Sequence, residues 1–214
     1  MLNLTDKAWY NHISSRSVTK TYQAGEAIHF QDEMSEHVGV VMSGRAKAVS
    51  YSENGTETWL GRFSEGEFFG HISLLTEKPV NFEISAETDI SALIIPVKAM
   101  REMLNENGDI SSALIKDLAL RLDLMTRRLV EALTLSAKGR VCAELMRLSN
   151  PIGIDPEKHI IRPNPIFVEL ALRISSSRET VSRTVSELQK KGIVSREPGA
   201  LIIQNTDRLK AAIQ

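Results

Sequence analysis

Residues 168–193 read VELALRISSSRETVSRTVSELQKKGI, and this stretch decides the fold of the second half of the chain. Ser177 is a good helix N-cap, because its hydroxyl can accept a hydrogen bond from a backbone N–H in the first turn. Val181, Val185 and Leu188 then follow the i, i+4, i+7 spacing of an amphipathic helix. With the apolar residues before it, the segment predicts two helices joined by a tight turn.

The exposed side of the second predicted helix carries charge near its N-terminus. Arg and Glu on such a face can recognise base pairs, because Arg bonds guanine O6 and N7 and Glu accepts from the cytosine amino group. A salt-bridged surface helix is the alternative. The close-packing Ala171, the short Ser175-Ser176 turn and a following hairpin argue against it. The predicted DNA-binding residues are Ser177, Arg178, Glu179, Ser182 and Arg183.

Shorter elements flank this pair of helices. A hairpin is predicted from 193–196 and 200–203 around Pro198-Gly199, followed by a short helix capped by Thr206. Upstream, a short helix is predicted over 141–148. A Pro- and Gly-bearing loop then starts at Asn150.

The charge is divided unevenly along the 214 residues. Residues 1–136 carry 13 Lys and Arg against 19 Asp and Glu, whereas residues 137–214 carry 13 against 8. An acidic N-terminal part and a basic C-terminal part favour two modules, of which the second binds a polyanion.

The front half alternates short apolar runs with turn residues. Runs rich in Val, Ile, Phe and Trp recur between Lys20 and Pro96, about ten residues apart. Asn54-Gly55 between two such runs is a strong hairpin signal. This spacing predicts a small β-barrel or sandwich.

From about Asp109 the apolar residues recur at helical spacing, and Asp109 and Ser111 are candidate caps for the start of this helix. A second apolar set, Leu114, Leu120, Leu124 and Leu133, lies off the main seam, so the helix needs two partners. Its own β-domain can supply one, and a second copy of the helix is the simplest other partner. The alternative is that both faces are buried within one chain. The predicted dimer seam is Ile115, Leu118, Leu122, Met125, Leu129 and Ala132.

Several classes of protein are not expected. The longest apolar runs are too short to span a bilayer, and the N-terminus lacks the pattern of a secretory signal, so a cytoplasmic protein is expected. A single cysteine, Cys142, cannot form an intrachain disulfide or an all-cysteine metal or iron–sulfur site. Motifs of hydrolases, zinc proteases and P-loop enzymes are absent, so no enzyme activity is predicted.

The chain resembles the family of the cyclic-AMP receptor protein and the fumarate-and-nitrate-reduction regulator (CRP/FNR), which are bacterial transcription factors. SRETVSR at 177–183 with Gly192-Ile193 matches the family's helix-turn-helix, and GEFFG at 66–70 matches the glycine-rich turn of its β-roll. The resemblance implies an α+β chain with a β-roll sensor like a cyclic-nucleotide-binding domain (1–108), a dimerisation helix (109–136) and a winged helix-turn-helix (137–214). Gly139-Arg140 matches the hinge region.

The resemblance also places an effector pocket, although the residues there depart from the family pattern. Members of the family that bind cyclic AMP hold it through a Glu, an Arg-Ser pair and polar residues of the dimer helix. Without the Arg, the cyclic phosphate has no cation to offset its desolvation, so cyclic AMP is not expected. The pocket then holds a less charged ligand or is filled by side chains. The matching positions are Gly70, His71, Val80, Asn81, Met125 and Thr126.

Other sensor cofactors are not expected either. No pair among the five histidines has a recognised ligand spacing, so haem and metal are not predicted. Each histidine is interpreted as a surface or satisfied core residue, with His71 notable for its place in the family's pocket. These histidines are His12, His29, His37, His71 and His159.

The helix-turn-helix departs from the family in three places. Ile166 and Phe167 stand where a capping Thr and a phosphate-contacting Arg are common, and Ser175 replaces the usual turn Gly. Weaker clamping of the DNA backbone is therefore expected.

By resemblance, the predicted function is dimeric, sequence-specific binding of double-stranded DNA with TGTGA-like or TTGAT-like half-sites. RNA polymerase is the expected partner at the loop over 150–162. Whether the protein activates or represses stays open. The alternative is a β-roll module that regulates a partner protein, which would leave the charged helix face without a role.

Overall fold

The computed structural model describes residues 13–152 and 155–213. Its internal contacts divide the chain into two compact units, Met1–Met125 and Thr126–Gln214.

The first unit contains two four-stranded antiparallel sheets, ordered β1-β8-β3-β6 and β2-β7-β4-β5. The predicted hairpin at Asn54-Gly55 is confirmed, because it joins β4 to β5 and Gly55 takes the left-handed φ of 77° that favours glycine. The strands are β1 (Val18–Tyr22), β2 (Ala27–His29), β3 (His37–Ser43), β4 (Ala46–Tyr51), β5 (Glu57–Phe63), β6 (Phe68–Phe69), β7 (Glu83–Ala86) and β8 (Ile90–Pro96).

Successive side chains of a strand point to opposite faces of the sheet, and apolar side chains on both faces give the first unit two apolar cores. Side chains such as Phe63 and Ile84 of one sheet meet Phe69 and Ala92 of the other. The opposite face of the β1-β8-β3-β6 sheet is covered by helices, because Val40 and its neighbours on that face pack against helical residues.

Among the described residues, this unit contains helices α1 (His71–Thr76) and α2 (Val97–Glu106) and the first part of α3 (Gly108–Thr134). The sequence argument makes no prediction for α2, whose Met100 and Met103 are fully buried. The predicted caps of α3 are wrong: the Asn107 side chain accepts from the backbone N–H of Asp109 at 3.0 Å. Ser111 instead donates its hydroxyl to the Leu104 carbonyl at 2.6 Å.

The second unit packs helices against a small antiparallel sheet ordered β11-β12-β10-β9. The predicted helix, tight turn, helix and hairpin are all present, which gives the winged helix-turn-helix. Its elements are α4 (Ala137–Leu148), β9 (Asn150–Ile152), β10 (Asp155–Ile161), α5 (Phe167–Arg173), α6 (Arg178–Lys190), β11 (Val194–Glu197), β12 (Ala200–Ile203) and α7 (Thr206–Ala211).

The predicted loop after Asn150 is largely strand. β10 pairs with both β9 and β12, so the Pro-bearing segment completes the sheet instead of crossing the surface as a loop. Pro151 is tolerated because β9 is an edge strand, where a missing N–H costs no ladder hydrogen bond. Residues 153–154 lie outside the described residues.

The helix predicted over 109–136 ends two residues earlier than predicted, and the one predicted over 141–148 begins four residues earlier. The helix ends at Thr134, and Ser136 caps α4 by accepting from the backbone N–H of Gly139 at 3.1 Å. Gly139 therefore lies inside the first turn of α4 and does not interrupt a helix. A Cβ on it would stand 2.5 Å from the Ile213 carbonyl oxygen, so close packing of the chain's end requires glycine here.

The cap of the last helix is also one residue earlier than predicted. Asn205 caps α7 by accepting from the backbone N–H of Arg208 at 2.7 Å, while Thr206 is the first helical residue and is buried.

Candidate nucleic-acid interface

Local hydrogen bonds hold the start of α6. Ser177 has an extended backbone, and its hydroxyl accepts from the backbone N–H of Thr180 at 3.2 Å, as the N-cap prediction requires. Ser175 adopts a left-handed φ of 49°, a conformation that glycine takes with less strain. Ser176 closes the turn by donating its N–H to the Ala171 carbonyl at 2.9 Å.

The apolar face of α6 is buried and its charged face is open. Val181, Val185 and Leu188 lie in the core of the second unit. Arg178, Glu179 and Arg183 are exposed at the beginning of the same helix, and Ser182 is half-buried between them. The structure therefore leaves Arg178, Glu179, Ser182 and Arg183 away from the buried face of α6 and places Ser177 at its N-cap.

Glu179 is held as a charged acceptor. Its own backbone N–H and then the Ser177 hydroxyl donate to the carboxylate, and Arg178 and Arg183 add positive charge, so its pKa lies below the usual value. An ionised carboxylate is the state that accepts from the amino group of cytosine.

No polar side chain caps the beginning of α5. Ile166 is the N-cap residue and makes no side-chain capping hydrogen bond. Ile166 and Val168 are exposed, whereas Phe167 is half-buried.

A groove of about 590 Å³ lies between α5, α6 and the hairpin of β11 and β12. It contains two guanidinium groups, from Arg178 and Arg196, and no carboxylate among its lining residues. The Arg196 guanidinium carbon lies 4.9 Å from the centroid of the Phe167 ring. Sequence reasoning missed Arg196, because nothing in the local pattern of β11 distinguishes it from any exposed strand residue.

The positions predicted for an effector pocket fall into a buried and an exposed group. His71 and Val80 are buried and Gly70 half-buried, whereas Asn81, Met125 and Thr126 are exposed. Gly70 has φ 76° and its missing Cβ leaves room for the His37 carbonyl oxygen, which a Cβ would meet at 2.4 Å. The Asn81 carbonyl accepts from the Ser50 hydroxyl at 2.9 Å.

His71 is neither a surface residue nor a satisfied core histidine, so that part of the sequence interpretation is wrong. It is 1% exposed, and neither ring nitrogen has a hydrogen-bond partner among the described residues. Burial, reinforced by the charge of Arg121, lowers the pKa of His71 to about 4. The ring is therefore neutral at physiological pH. His12 lies outside the described residues.

A cation that the sequence analysis did not identify lies near this position. Arg121 of α3 donates from Nε to Asp117 at 2.8 Å, and its Nη2 lies 3.3 Å from a Glu67 carboxylate oxygen. Its guanidinium carbon lies 4.2 Å from the centroid of the Phe63 ring. Asp117 and Arg121 are four residues apart on one helix, and this spacing was the available signal.

Among residues 13–152 and 155–213, no group of three or more His, Cys, Asp or Glu side chains is placed to hold a metal ion. Within the same residues, no helix is both long and apolar enough to cross a membrane.

Comparisons with known proteins cover both units. Residues 19–107 match the model of the cyclic nucleotide-binding domain, and residues 139–212 match that of the Crp-like helix-turn-helix domain. A CRP-like cAMP-activated global transcriptional regulator of Mycobacterium tuberculosis (strain CDC 1551 / Oshkosh) is 23% identical over 190 residues, which are 88% of this chain and 84% of the relative. The anaerobic regulatory protein of Bacillus subtilis (strain 168) is 26% identical over 184 residues, 84% of this chain and 76% of the relative.

The fold is also shared with solved structures. A mutant of CooA from Carboxydothermus hydrogenoformans superposes with a TM-score of 0.84 at 18% identity, covering 100% of this chain and 98% of that one.

Proposed function

Because this chain belongs to the CRP/FNR family of transcriptional regulators, we propose that it binds a palindromic DNA site as a homodimer. It is a regulator with a helix-turn-helix DNA-binding domain, like its relatives, and not an enzyme. The observation that carries the proposal is the open face of α6, where Arg178, Glu179 and Arg183 stand together at the capped end of the helix.

The homodimer is supported by the apolar side chains that α3 leaves uncovered. Of the predicted seam, Ile115, Leu122 and Leu129 are each at least 60% exposed. Leu118 differs, because it is half-buried against the core of the first unit. A row of exposed apolar side chains at seam spacing is unfavourable in water, and a second copy across a two-fold axis would bury it.

Two linked recognition helices read two half-sites about one helical turn apart, in a palindrome of about 22 base pairs. Glu179 and Arg183 share the G·C pair of a TGA core, and Arg178 reads a second G two base pairs earlier, giving TGTGA. TTGAT-like half-sites are the alternative. Family members that have Ser at the position of Ser182 and no equivalent of Arg178 prefer them. An Arg–guanine contact, worth roughly 1–3 kcal/mol of discrimination, favours TGTGA.

The effector of the β-roll is proposed to be something other than cyclic AMP or cyclic GMP. Val80 is buried and apolar at the position where a phosphate needs a cation. Arg121 does not replace that cation, because Asp117 and Glu67 already engage its guanidinium. The pocket is expected to hold a less charged ligand or to be filled by side chains.

A protein partner and a location complete the proposal. RNA polymerase is proposed to contact the segment over 150–162, and the protein to act in the cytoplasm, where promoter DNA and polymerase are present. A module that regulates only a partner protein would leave the charged face of α6 unused.

In vitro selection from a random duplex library, followed by a gel shift, tests the proposed function. The expected result is a palindrome with a TGA core in each half. Enriched sites without that core would show that the base assignments are wrong, and no enrichment at all would contradict sequence-specific binding.

A further inference from the structure

We propose that Arg196 of the β11–β12 hairpin binds a phosphate of the DNA backbone beside each base-reading helix, and that Phe167 positions its guanidinium for this contact. The inference rests on the proposed function, since it assigns a second contact on the same DNA face. The observation is the stacking of Arg196 over the Phe167 ring at 4.9 Å, on the wall of the groove that also contains Arg178.

Arg196 is available for an anion. It is exposed and forms no ion pair with any described residue. Glu197 is its neighbour in sequence, but successive strand residues point to opposite faces of a sheet, so that carboxylate does not share the side on which Arg196 lies. The groove lined by Arg196 and Arg178 contains no carboxylate and is complementary in charge to the polyanionic backbone.

Stacking on Phe167 prepares the guanidinium for binding. A guanidinium on an aromatic face keeps its N–H donors in the plane at its edge, where they can fork onto two phosphate oxygens. The side chain is held near one geometry before DNA arrives, so it loses less rotamer entropy on binding.

The hairpin is itself anchored to the segment before α5. The backbone N–H of Asn164 donates to the Gly199 carbonyl at 3.1 Å, and the Asn164 amide donates to the Glu197 carbonyl at 3.4 Å. These bonds tie the turn that follows Arg196 to the chain that leads into Phe167. Phe167 occupies the position where a phosphate-contacting Arg is common in the family. Arg196, whose guanidinium lies over the Phe167 ring, supplies a positive charge at that part of the surface.

Exposed apolar residues beside Arg196 and Phe167 are also suited to contact the DNA backbone. Ile166 is 59% exposed and Val168 is 51% exposed at the mouth of the groove. The deoxyribose next to a phosphate offers an apolar surface, so one sugar–phosphate unit satisfies both the cation and these side chains.

Fluorescence anisotropy of the full-length protein on the selected duplex, over a series of KCl concentrations, tests the assignment. Arg196→Ala is expected to raise Kd at least about tenfold. The slope of log Kd against log[KCl] should fall by about 0.9 per phosphate contact, or about 1.8 for the two half-sites. The ratio of Kd values between the selected duplex and one with a single base change should stay as in the wild type.

Further variants separate charge from positioning. Arg196→Lys is expected to keep the wild-type salt slope but bind more weakly, because an ammonium cannot stack or fork in the same way. Phe167→Leu should weaken binding, Phe167→Trp should restore it, and Phe167→Leu should add nothing in the Arg196→Ala background. Lys210→Ala, which removes an exposed cation of α7, is the matched control and should leave both Kd and slope unchanged.

The outcomes separate this inference from the proposed function. A wild-type protein that binds no duplex overturns both. A wild-type protein that binds DNA, with Arg196→Ala equal to it in Kd and salt slope, overturns the phosphate contact alone. A changed preference at one base pair with an unchanged slope would instead make Arg196 a base-reading residue. Additive losses in the double variant would overturn the role of Phe167.

Discussion

A carboxylate oxygen of Glu144, which is fully buried, lies 3.3 Å from Nη2 of Arg128. Arg147 also donates to this carboxylate and forms a second ion pair with Glu131 at 2.5 Å, while Arg173 lies 3.6 Å from it. The last turns of α3, helix α4 and the end of α5 therefore meet at one buried anion. Since α5 leads into the turn before α6, this cluster supports the orientation of the recognition helix.

Replacing Glu144 should destabilise the second unit strongly. Glu144→Ala removes the buried carboxylate that these partly buried guanidinium groups share, which costs about 3–5 kcal/mol in the free energy of unfolding. Glu144→Gln should cost less, because the amide oxygen still accepts a hydrogen bond. Urea unfolding followed by far-ultraviolet circular dichroism measures both. Glu187→Gln, which removes a more exposed carboxylate paired with Lys138 and Lys191, should barely move the midpoint.

The combined change of Leu122 and Leu129 to Glu should give a folded monomer. Both side chains are exposed in the single chain, at 68% and 60%, so the change removes the proposed dimer contact without touching a core. Sedimentation velocity should show monomers, and DNA binding should be lost, since one half-site lacks the affinity of two linked ones. Lys116→Glu on the same helix is the control and should remain dimeric. A wild-type monomer at micromolar concentration would contradict the dimer.

The two arginines of α6 should affect different base pairs. Arg178→Ala should relax the preference at the outer G alone, and Arg183→Ala should weaken binding at the core G in every site, each by roughly 1–3 kcal/mol. Repeating the selection with each variant measures this. If the wild type selects the TGA core without the outer G, the assignment of Arg178 alone is wrong.

The buried His71 should make stability depend on pH. Its pKa is about 4 in the folded chain against 6.5 without burial, so the unfolded chain binds more protons between these values. The free energy of unfolding is then fully retained above pH 6.5 and falls by about 3 kcal/mol as the pH drops toward 4.

Urea midpoints between pH 4 and 7 check this, with His71→Leu expected to be less sensitive to acid than the wild type. His37→Gln, at an exposed histidine, is the control and should keep the wild-type profile. An identical profile for His71→Leu and the wild type would contradict the prediction.

Cyclic AMP and cyclic GMP should not bind the β-roll. The buried Val80 offers no cation, and the guanidinium of Arg121 is engaged by Asp117 and Glu67. Titration calorimetry with either nucleotide at up to about 1 mM should give only heats of dilution. Micromolar affinity for either nucleotide would overturn the prediction.

Local pattern was sufficient for the elements that carry the proposed DNA-binding face. Ser177 caps α6 as predicted, and Val181 and Val185 are buried as their spacing requires, because helical periodicity is set by residues within a few positions of one another. The hairpin at Asn54-Gly55 follows from turn chemistry in the same way. The ends of helices were predicted less accurately. Asn107 and Asn205 are the capping residues where a residue one or two positions later was expected, because several adjacent polar residues could act as the cap.

What the sequence by itself determined is thus the strand-rich first unit, the helix-turn-helix with its hairpin and the charged face of α6. Only the tertiary structure brought Arg196 over Phe167, 29 positions apart in the printed sequence, and Arg121 over Phe63. It alone buried Glu144 among arginines and left the ring of His71 without a hydrogen-bond partner in the part of the chain that the structure describes. The physical reason is that periodicity and capping act between near neighbours in the chain, whereas these contacts depend on how separate helices and strands pack together.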